Sequence, residues 1–345
     1  MSDYTTMPIY TNSNNYKFQT FFKVPSFNSS PIIFVAHHGA GSTHATFDNL
    51  SLKLSHNAQS LNYSSIPGFF SFDIRGHGMT NLLNDNNNTS NYKLSIDQLI
   101  EDFKFILSHF LKSLPYNPII ILLGHSLGGS VLTKFLYNNQ SLNNIHGLII
   151  IDTVEEIAIN SLNLMNNYIL KLPKSFNSKI DAINYFTSSN LINNKSSALL
   201  SIPSLLKKDP LSNNYKFITD LSLTKPFWFN WFINSSEFFI KISNKFPKLL
   251  ILANNDNYLD KFLIIGQMNG SYQLKIFNNL IESSKIGHFI HEDIPNNLSI
   301  TLLDFIERNN YKNFHKLNKN NEIGNNGINE NDLILKLNKK WNVQQ

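Results

Sequence analysis

The stretch Gly124-His125-Ser126-Leu127-Gly128-Gly129 constrains the fold of this chain more than any other segment. It follows the apolar run Ile119-Ile120-Ile121-Leu122-Leu123 and precedes a segment with helical character, residues 130–137. A strand, the pattern G-x-S-x-G and then a helix predict a sharp turn that holds the hydroxyl of Ser126 clear of the backbone. The outer glycines of the pattern are small because strand and helix pass close to each other there. The segment therefore predicts a serine nucleophile for acyl transfer.

Strands and helices alternate on both sides of this turn. Apolar runs typical of buried strands occur at 31–37, 69–73, 145–152, 247–254 and 272–277, and a looser alternating run occurs at 16–24. Helical spacing covers 46–61, 94–114 and 298–307. Ser95, with Gln98 three residues later, is typical of a helix start. This alternation predicts an α/β fold with a mostly parallel central sheet flanked by helices.

The segment 155–245 breaks the alternation, because it is helical and rich in aromatic residues. We expect it to be a helical cap inserted between two strands, over the carboxyl ends of the sheet. Its aromatic cluster, 227–232, is expected to form the core of that cap, with ligand binding as the alternative role. We expect residues 16–310 to form the domain, residues 1–15 to be flexible, and the Asn- and Lys-rich extension 311–345 to be largely mobile, with a short ordered element at 332–341.

Composition excludes several classes of function. The chain has no cysteine, which rules out disulfides, thiolate metal sites and a cysteine nucleophile. The net charge is +5, but the lysines are scattered, so we expect no nucleic-acid partner. No apolar run reaches the roughly 18 residues of a membrane span, and the polar start of the chain does not resemble a secretory signal. We therefore expect a cytoplasmic or nuclear protein without a membrane contact.

A serine nucleophile needs a histidine to take its proton and an acid to orient that histidine. His288 is the first candidate, because it follows the last predicted strand and precedes the final helix, and His291 competes with it. Two acids compete for the third place. Asp152 ends one predicted strand and Asp256 follows another, and the chain order permits either. The usual arrangement of such folds favours Asp256. The alternative for Asp256 is a turn aspartate without a catalytic role, because its Asn-rich string is typical of a turn.

Two backbone N–H groups should bind the oxyanion. Leu127, directly after the nucleophile, supplies one candidate, and the turn His38-Gly39-Ala40-Gly41-Ser42 supplies the other. We expect Ala40 to be this second donor, with Gly39 as the alternative. The string Asp73-Ile74-Arg75-Gly76-His77-Gly78 is expected to be a structural turn, with His77 as a supporting residue. This chemistry requires no metal and no cofactor.

Strings outside the sharp turn around Ser126, called the elbow from here on, resemble one known family, the protein phosphatase methylesterases of the α/β-hydrolase superfamily. The resemblance spans residues 17–308. The strings that carry it are Ile151-Asp152-Thr153-Val154-Glu155, Leu162-Asn163-Leu164-Met165-Asn166-Asn167, Pro173-Lys174-Ser175-Phe176, Phe227-Trp228-Phe229-Asn230-Trp231-Phe232, Ile264-Ile265-Gly266-Gln267-Met268-Asn269-Gly270 and Gly287-His288-Phe289-Ile290-His291-Glu292-Asp293-Ile294-Pro295.

The resemblance implies an α/β-hydrolase that removes the methyl ester from the C-terminal leucine of the type 2A protein phosphatase catalytic subunit, releasing methanol. That subunit would be both substrate and binding partner. The resemblance also implies the triad Ser126, Asp152 and His288, which demotes Asp256 to the alternative acid. It suggests that the esterase also binds at the phosphatase active site. It further suggests that the triad of the free esterase is poorly aligned until the phosphatase binds. We expect the chain alone to be a monomer.

The chain departs from the family pattern at several positions. Glu156 stands where a glycine is expected, and the region 205–215 lacks a long acidic loop. Glu155 and Glu156 either face a peptide or lie at a solvated helix start. Two alternative functions stay open: a generic small-ester carboxylesterase or lipase of the same fold, and a non-catalytic phosphatase-binding protein.

Overall fold

The computed structural model describes residues 5–6, 9–10, 16–26, 31–82, 93–253, 259–278, 285–309 and 311 of the chain. The strands in these ranges are β1 (Thr5–Thr6), β2 (Ile9–Tyr10), β3 (Tyr16–Phe18), β4 (Thr20–Lys23), β5 (Ile32–His37), β6 (Gly68–Phe72), β7 (Asn81–Leu82), β8 (Ile119–His125), β9 (Ile145–Ile151), β10 (Leu206–Lys208), β11 (Tyr215–Phe217), β12 (Lys248–Ala253) and β13 (Gln273–Phe277). The helices are α1 (Asp48–Ser60), α2 (Ile96–Ser113), α3 (Leu127–Asn138), α4 (Glu155–Asn160), α5 (Leu162–Lys171), α6 (Lys179–Ser188), α7 (Lys195–Ser201), α8 (Trp228–Phe232), α9 (Ser235–Lys241), α10 (Lys261–Met268), α11 (Ile290–Asp293) and α12 (Pro295–Arg308).

Eight strands form the central sheet, in the order β1-β4-β6-β5-β8-β9-β12-β13. Every neighbouring pair from β6 to β13 is parallel, whereas β1 pairs with β4 and β4 with β6 in antiparallel fashion. The central strands β5 and β8 are buried along their whole length, as expected for apolar runs covered on both faces. The predicted mostly parallel α/β sheet is confirmed.

Successive side chains along the strands point to opposite faces of the sheet and pack into two separate cores. On one face, Ile33 and Val35 of β5 pack with residues of α2 and α3. On the other, Phe34 packs with residues of α1 and α12. The predicted helix start is also confirmed, because Ser95 caps α2 by accepting from Gln98 N at 3.4 Å.

The predicted strand at 16–24 is two strands, β3 and β4, which belong to different sheets. The break lies at Gln19, whose N–H donates to Thr80 Oγ1 at 3.0 Å instead of joining a ladder. An apolar–polar alternation does not reveal such a change of partner, because both strands keep the same period.

The insertion between β9 and β12 holds helices α4 to α9 and the hairpin β10–β11. Part of it has an apolar core of its own, which includes Phe176, Phe186 and Ile202. The prediction that the aromatic cluster 227–232 forms a separate cap core holds only in part. Its buried members pack in the main core that contains α3, together with half-buried residues of α4 and α5 of the insertion. No residue of α4 or α5 is fully buried.

Within the segment 1–15, predicted to be flexible, residues 5–6 and 9–10 pair as strands and the rest lies outside the described residues. The extension beyond 311, with its predicted element at 332–341, also lies outside them. No helix in the described ranges has both the length and the apolar character to cross a bilayer.

Candidate active site

The turn between β8 and α3 consists of a single residue, Ser126. Its backbone has φ 51° and ψ −121°, a conformation that costs a residue with a side chain on the order of 1–3 kcal/mol. Its N–H donates to the Ile151 carbonyl at 3.1 Å, and its carbonyl accepts from Gly129 N at 2.8 Å and Thr153 Oγ1 at 3.0 Å. The predicted strand–turn–helix geometry around Ser126 is confirmed.

The outer glycines of the G-x-S-x-G pattern are required by close backbone approach. A Cβ on Gly124 would lie 2.6 Å from Gly129 Cα, and one on Gly128 would lie 2.1 Å from the His37 carbonyl oxygen. Neither contact is possible without moving the backbone of a strand or a helix. The elbow therefore depends on both glycines.

Asp152 follows β9 directly and also has a left-handed backbone, with φ 52°. Its Oδ2 accepts from His288 Nδ1 at 2.7 Å, and its Oδ1 accepts from Ala253 N at 3.4 Å. The side chain is only 8% exposed. The competing acid, Asp256, lies outside the described residues. The structure thus brings Asp152 to the imidazole, in agreement with the family resemblance.

His288 lies at the mouth of the site, with 49% of its side chain exposed. Because Nδ1 donates to a carboxylate, the neutral ring keeps its lone pair on Nε2, where a general base needs it. Its main-chain carbonyl accepts from Nε2 of His125, the residue before the nucleophile, at 3.0 Å. Within the described part of the chain, no hydrogen bond joins Ser126 Oγ to His288. Ser126 Oγ and His288 Nε2 must come within hydrogen-bond distance before the imidazole can take the serine proton.

His291, the competing histidine, has a different place. It is fully buried, and its Nε2 donates to Thr46 Oγ1 at 2.7 Å. Burial lowers its pKa to about 3. It packs beneath His125, with ring centroids 4.4 Å apart. This histidine is a neutral part of the core.

The turn after β5 lies beside the nucleophile. A Cβ on Gly39 would lie 3.1 Å from Ser126 Cβ, and Ala40 lines the same cavity as Ser126. Among the described residues, the N–H groups of Ala40 and Leu127 have no hydrogen-bond partner. Both predicted donors are therefore free to bind an oxyanion.

His77 supports this turn from below. Gly41 N donates to His77 Nε2 at 2.9 Å, and His77 Nδ1 donates to the Arg75 carbonyl at 3.0 Å. Complete burial lowers the pKa of His77 to about 4, which keeps the ring neutral and Nε2 an acceptor. The Arg75 guanidinium pairs with Asp102 through two contacts of 2.5 and 2.6 Å. The prediction that the 73–78 string is structural is confirmed.

A cavity of about 980 Å³ opens above the nucleophile. Ser126, Asp152 and His288 lie on its floor, and the insertion supplies apolar walls that include Met165 and Trp231. No group of three or more His, Asp or Glu side chains in the described ranges is arranged to hold a metal ion.

Comparison with known proteins identifies the family. A family model described as "Serine aminopeptidase, S33" matches residues 32–221. A protein of Debaryomyces hansenii named Protein phosphatase methylesterase 1 is 42% identical over 306 residues, which cover 87% of this chain and 75% of that protein. The chain belongs to the protein phosphatase methylesterase family. The Saccharomyces cerevisiae protein of the same name is 38% identical over 85% of this chain and 72% of its own length.

Solved structures show the same fold for this methylesterase. E-2-(Acetamidomethylene)succinate hydrolase superposes with a TM-score of 0.64 at 14% identity, over 88% of this chain and 99% of that one. The peroxisomal α/β-hydrolase Lpx1 of Saccharomyces cerevisiae gives 0.63 at 14% identity, over 99% and 98%. At these identities the likeness concerns the fold alone, which is that of an α/β-hydrolase.

The two glutamates that follow Asp152 and Thr153 in the chain, Glu155 and Glu156, have different environments. Glu155 accepts from Asn234 N at 2.7 Å and from Ser236 N at 3.1 Å, so it caps the start of α9. Glu156 is exposed on α4. The first of these acids therefore has a structural role that sequence reasoning left undecided.

The region 205–215, which lacks the family's acidic loop, is occupied by the hairpin β10–β11. Its turn is closed by an ion pair of 2.5 Å between Lys216 and Asp209. Both charges are near the surface, so the pair contributes little to stability. Within the described residues, the chain therefore has a short two-stranded ribbon in this region.

Sequence reasoning missed two histidines that hold the site. His38 donates from Nδ1 to the Gly39 carbonyl at 2.8 Å and accepts from Ile74 N at 3.1 Å through Nε2. Burial holds its pKa well below the usual range. His125 supports the His288 carbonyl, as described above. The only sequence signal for either is its place directly beside a functional turn.

Proposed function

We propose that this carboxylic-ester hydrolase removes the methyl ester from the C-terminal leucine of the type 2A protein phosphatase catalytic subunit. The observation that carries the proposal is the Asp152–His288 hydrogen bond of 2.7 Å beside a serine on a strained elbow. Family membership supplies the substrate class, because the relatives are named protein phosphatase methylesterases. The large apolar cavity can take a leucine side chain together with preceding residues of a chain end.

The reaction would run as a two-step acyl transfer. Ser126 Oγ attacks the ester carbonyl while His288 Nε2 takes its proton, and Asp152 holds the imidazole and stabilises its cation. The N–H groups of Ala40 and Leu127 bind the oxyanion. The imidazolium returns the proton to the methoxy group, which leaves as methanol. Water, deprotonated by the same histidine, then cleaves the acyl-serine and releases the free C-terminal carboxylate.

Demethylation of the methylated phosphatase by the wild-type chain and by Ser126→Ala tests the proposal. Methanol release and loss of the methyl group are expected with the wild type and not with the variant. Turnover of p-nitrophenyl esters without phosphatase demethylation would instead indicate a generic carboxylesterase. A fluorophosphonate probe that fails to label Ser126, even with phosphatase present, would indicate a non-catalytic binding protein.

The phosphatase catalytic subunit is also the proposed binding partner. Co-purification of Ser126→Ala with the methylated subunit tests that contact, because the variant can bind without turning over. A cytoplasmic or nuclear location stays a prediction, which imaging of the tagged full-length chain can check.

A further inference from the structure

The loop that carries His288 is held on both sides of the histidine. Before it, Gly287 N donates to Asp293 Oδ2 at 2.7 Å. After its Cα, the His288 carbonyl accepts from His125 at 3.0 Å. The position of the imidazole, which is itself half exposed, therefore depends on how these two backbone groups are fixed.

Asp293 also binds the cap insertion. Its Oδ1 accepts from Asn193 N at 2.6 Å and its Oδ2 accepts from Asn193 Nδ2 at 3.1 Å. Its main-chain carbonyl accepts from Asn194 Nδ2 at 3.4 Å. The residue is only 3% exposed, so water cannot replace any of these donors if the carboxylate is lost. One buried side chain thus collects donors from the catalytic loop and from the cap.

We propose that Asp293 is a positioning residue for His288, which it joins to Asn193 of the cap. The inference rests on the proposed function, because it assumes that His288 is the base. Asp293 makes no hydrogen bond to Ser126, Asp152 or His288 among the described residues, and its bond from Gly287 N fixes the loop that carries His288. Its carboxylate also has a favourable charge interaction with His288. A misplacement of a catalytic group by about 1 Å costs on the order of 100-fold in rate, which sets the size of the expected effect.

The substitution Asp293→Asn tests the role with little change in shape. It replaces one carboxylate oxygen by an NH₂ group. Because the contacts from Gly287 and Asn193 are all N–H donors, the NH₂ group must lose at least one of these hydrogen bonds. On a p-nitrophenyl ester, we expect kcat to fall about 10- to 100-fold with KM within about twofold. The rate at which a fluorophosphonate labels Ser126 should fall in parallel. Both assays need no phosphatase.

A second substitution separates positioning from simple loss of structure. In Asp293→Asn combined with Asn193→Asp, the new NH₂ group can donate to the new carboxylate, while the amide oxygen still accepts from the main-chain N–H of residue 193. The bond to the cap is restored, but Gly287 N faces the NH₂ group and stays without an acceptor, because the same Oδ2 atom serves Gly287 and the side chain of residue 193. We expect the double variant to recover Tm while its kcat stays within about twofold of that of Asp293→Asn. Recovery of kcat together with Tm would overturn the role of the Gly287 contact.

Ser197→Ala is the matched control. Ser197 of α7 donates to the Glu292 carbonyl at 2.6 Å and accepts from Asn49 at 2.8 Å, so it ties the cap to the same segment without touching the His288 loop. We expect Ser197→Ala to lower Tm about as much as Asp293→Asn does, but to keep kcat within about twofold of wild type. Equal losses of kcat in Ser197→Ala and Asp293→Asn would overturn the proposal. If the wild type were neither labelled nor active even with the phosphatase present, the serine-hydrolase function would be refuted, and the inference with it.

Discussion

Glu292, next to Asp293, is the buried acid with the clearest consequence for stability. It is only 2% exposed, and its two carboxyl oxygens lie 2.5 Å from Thr46 Oγ1 and Ser201 Oγ. Burial raises its pKa from 4.5 to about 8, although both hydroxyl contacts oppose the shift. At neutral pH the folded protein therefore holds a proton on this side chain that the unfolded chain has released.

The direction and size of the effect follow from proton linkage. Because the folded-state pKa is raised, the stabilisation is fully present below about pH 4.5 and is lost as pH rises to about 8. Each pH unit in that window costs about 1.4 kcal/mol. Over the whole window the loss is on the order of 5 kcal/mol, which is comparable with the total stability of a typical domain, about 5–15 kcal/mol.

Glu292→Gln removes this proton exchange and keeps the shape of the side chain. Urea unfolding of wild type and variant should be compared between pH 5 and pH 9. The free energy of unfolding of the variant, minus that of the wild type, should rise by about 1.4 kcal/mol per pH unit up to about pH 8. The gap should be constant above that pH. Any change in the contacts to Thr46 and Ser201 shifts the gap equally at every pH, so the slope is the readout. Glu156→Gln, on the surface, serves as the control for loss of a carboxylate. A gap that stays level from pH 5 to pH 8 would refute a protonated Glu292.

Three further outcomes are expected. Asp152→Asn should lower kcat on a small ester about 10⁴-fold, because it favours the wrong imidazole tautomer. The kcat of Asp256→Asn should stay within about twofold of wild type. The reverse order in steady-state assays would assign the acid to Asp256. Gly128→Ala should lose about 3 kcal/mol or more in chemical denaturation, because its Cβ would lie 2.1 Å from a backbone oxygen. Burial lowers the pKa of His37 and of His77 to about 4, so the stability that each neutral ring contributes is present above about pH 6.5 and is lost as pH falls to about 4. The free energy of unfolding from urea titrations should fall by about 1.4 kcal/mol per pH unit for each histidine in this window, and His77→Gln should reduce that slope.

Much of the fold follows from local patterns in the sequence. The runs at 31–37 and 145–152 become β5 and β9 with nearly the same bounds, because a strand covered on both faces must be apolar throughout. The elbow is equally local, since a strand, a nucleophile and a helix that touch within six residues leave only small side chains at the crossing. These elements required no knowledge of distant contacts.

The rest depends on contacts that no local pattern records. In chain order Asp152 and Asp256 both follow strands of the same sheet, and no local pattern says which carboxylate meets His288. The aromatic cluster 227–232 is equally apolar in either core, so its sequence could not say that Trp231 donates to the Leu94 carbonyl at 2.6 Å. The ties made by Asp293 cross 100 residues to Asn193.

The left-handed backbone at Ser126 restricts how this nucleophile can change over evolutionary time. A threonine would supply the same hydroxyl, but its extra methyl branches at Cβ, and β-branched side chains are genuine outliers at positive φ. Cysteine has no such branch and meets no backbone barrier. Evolution can therefore replace serine by cysteine at this position with the turn unchanged, whereas threonine requires a change in the backbone of the turn first.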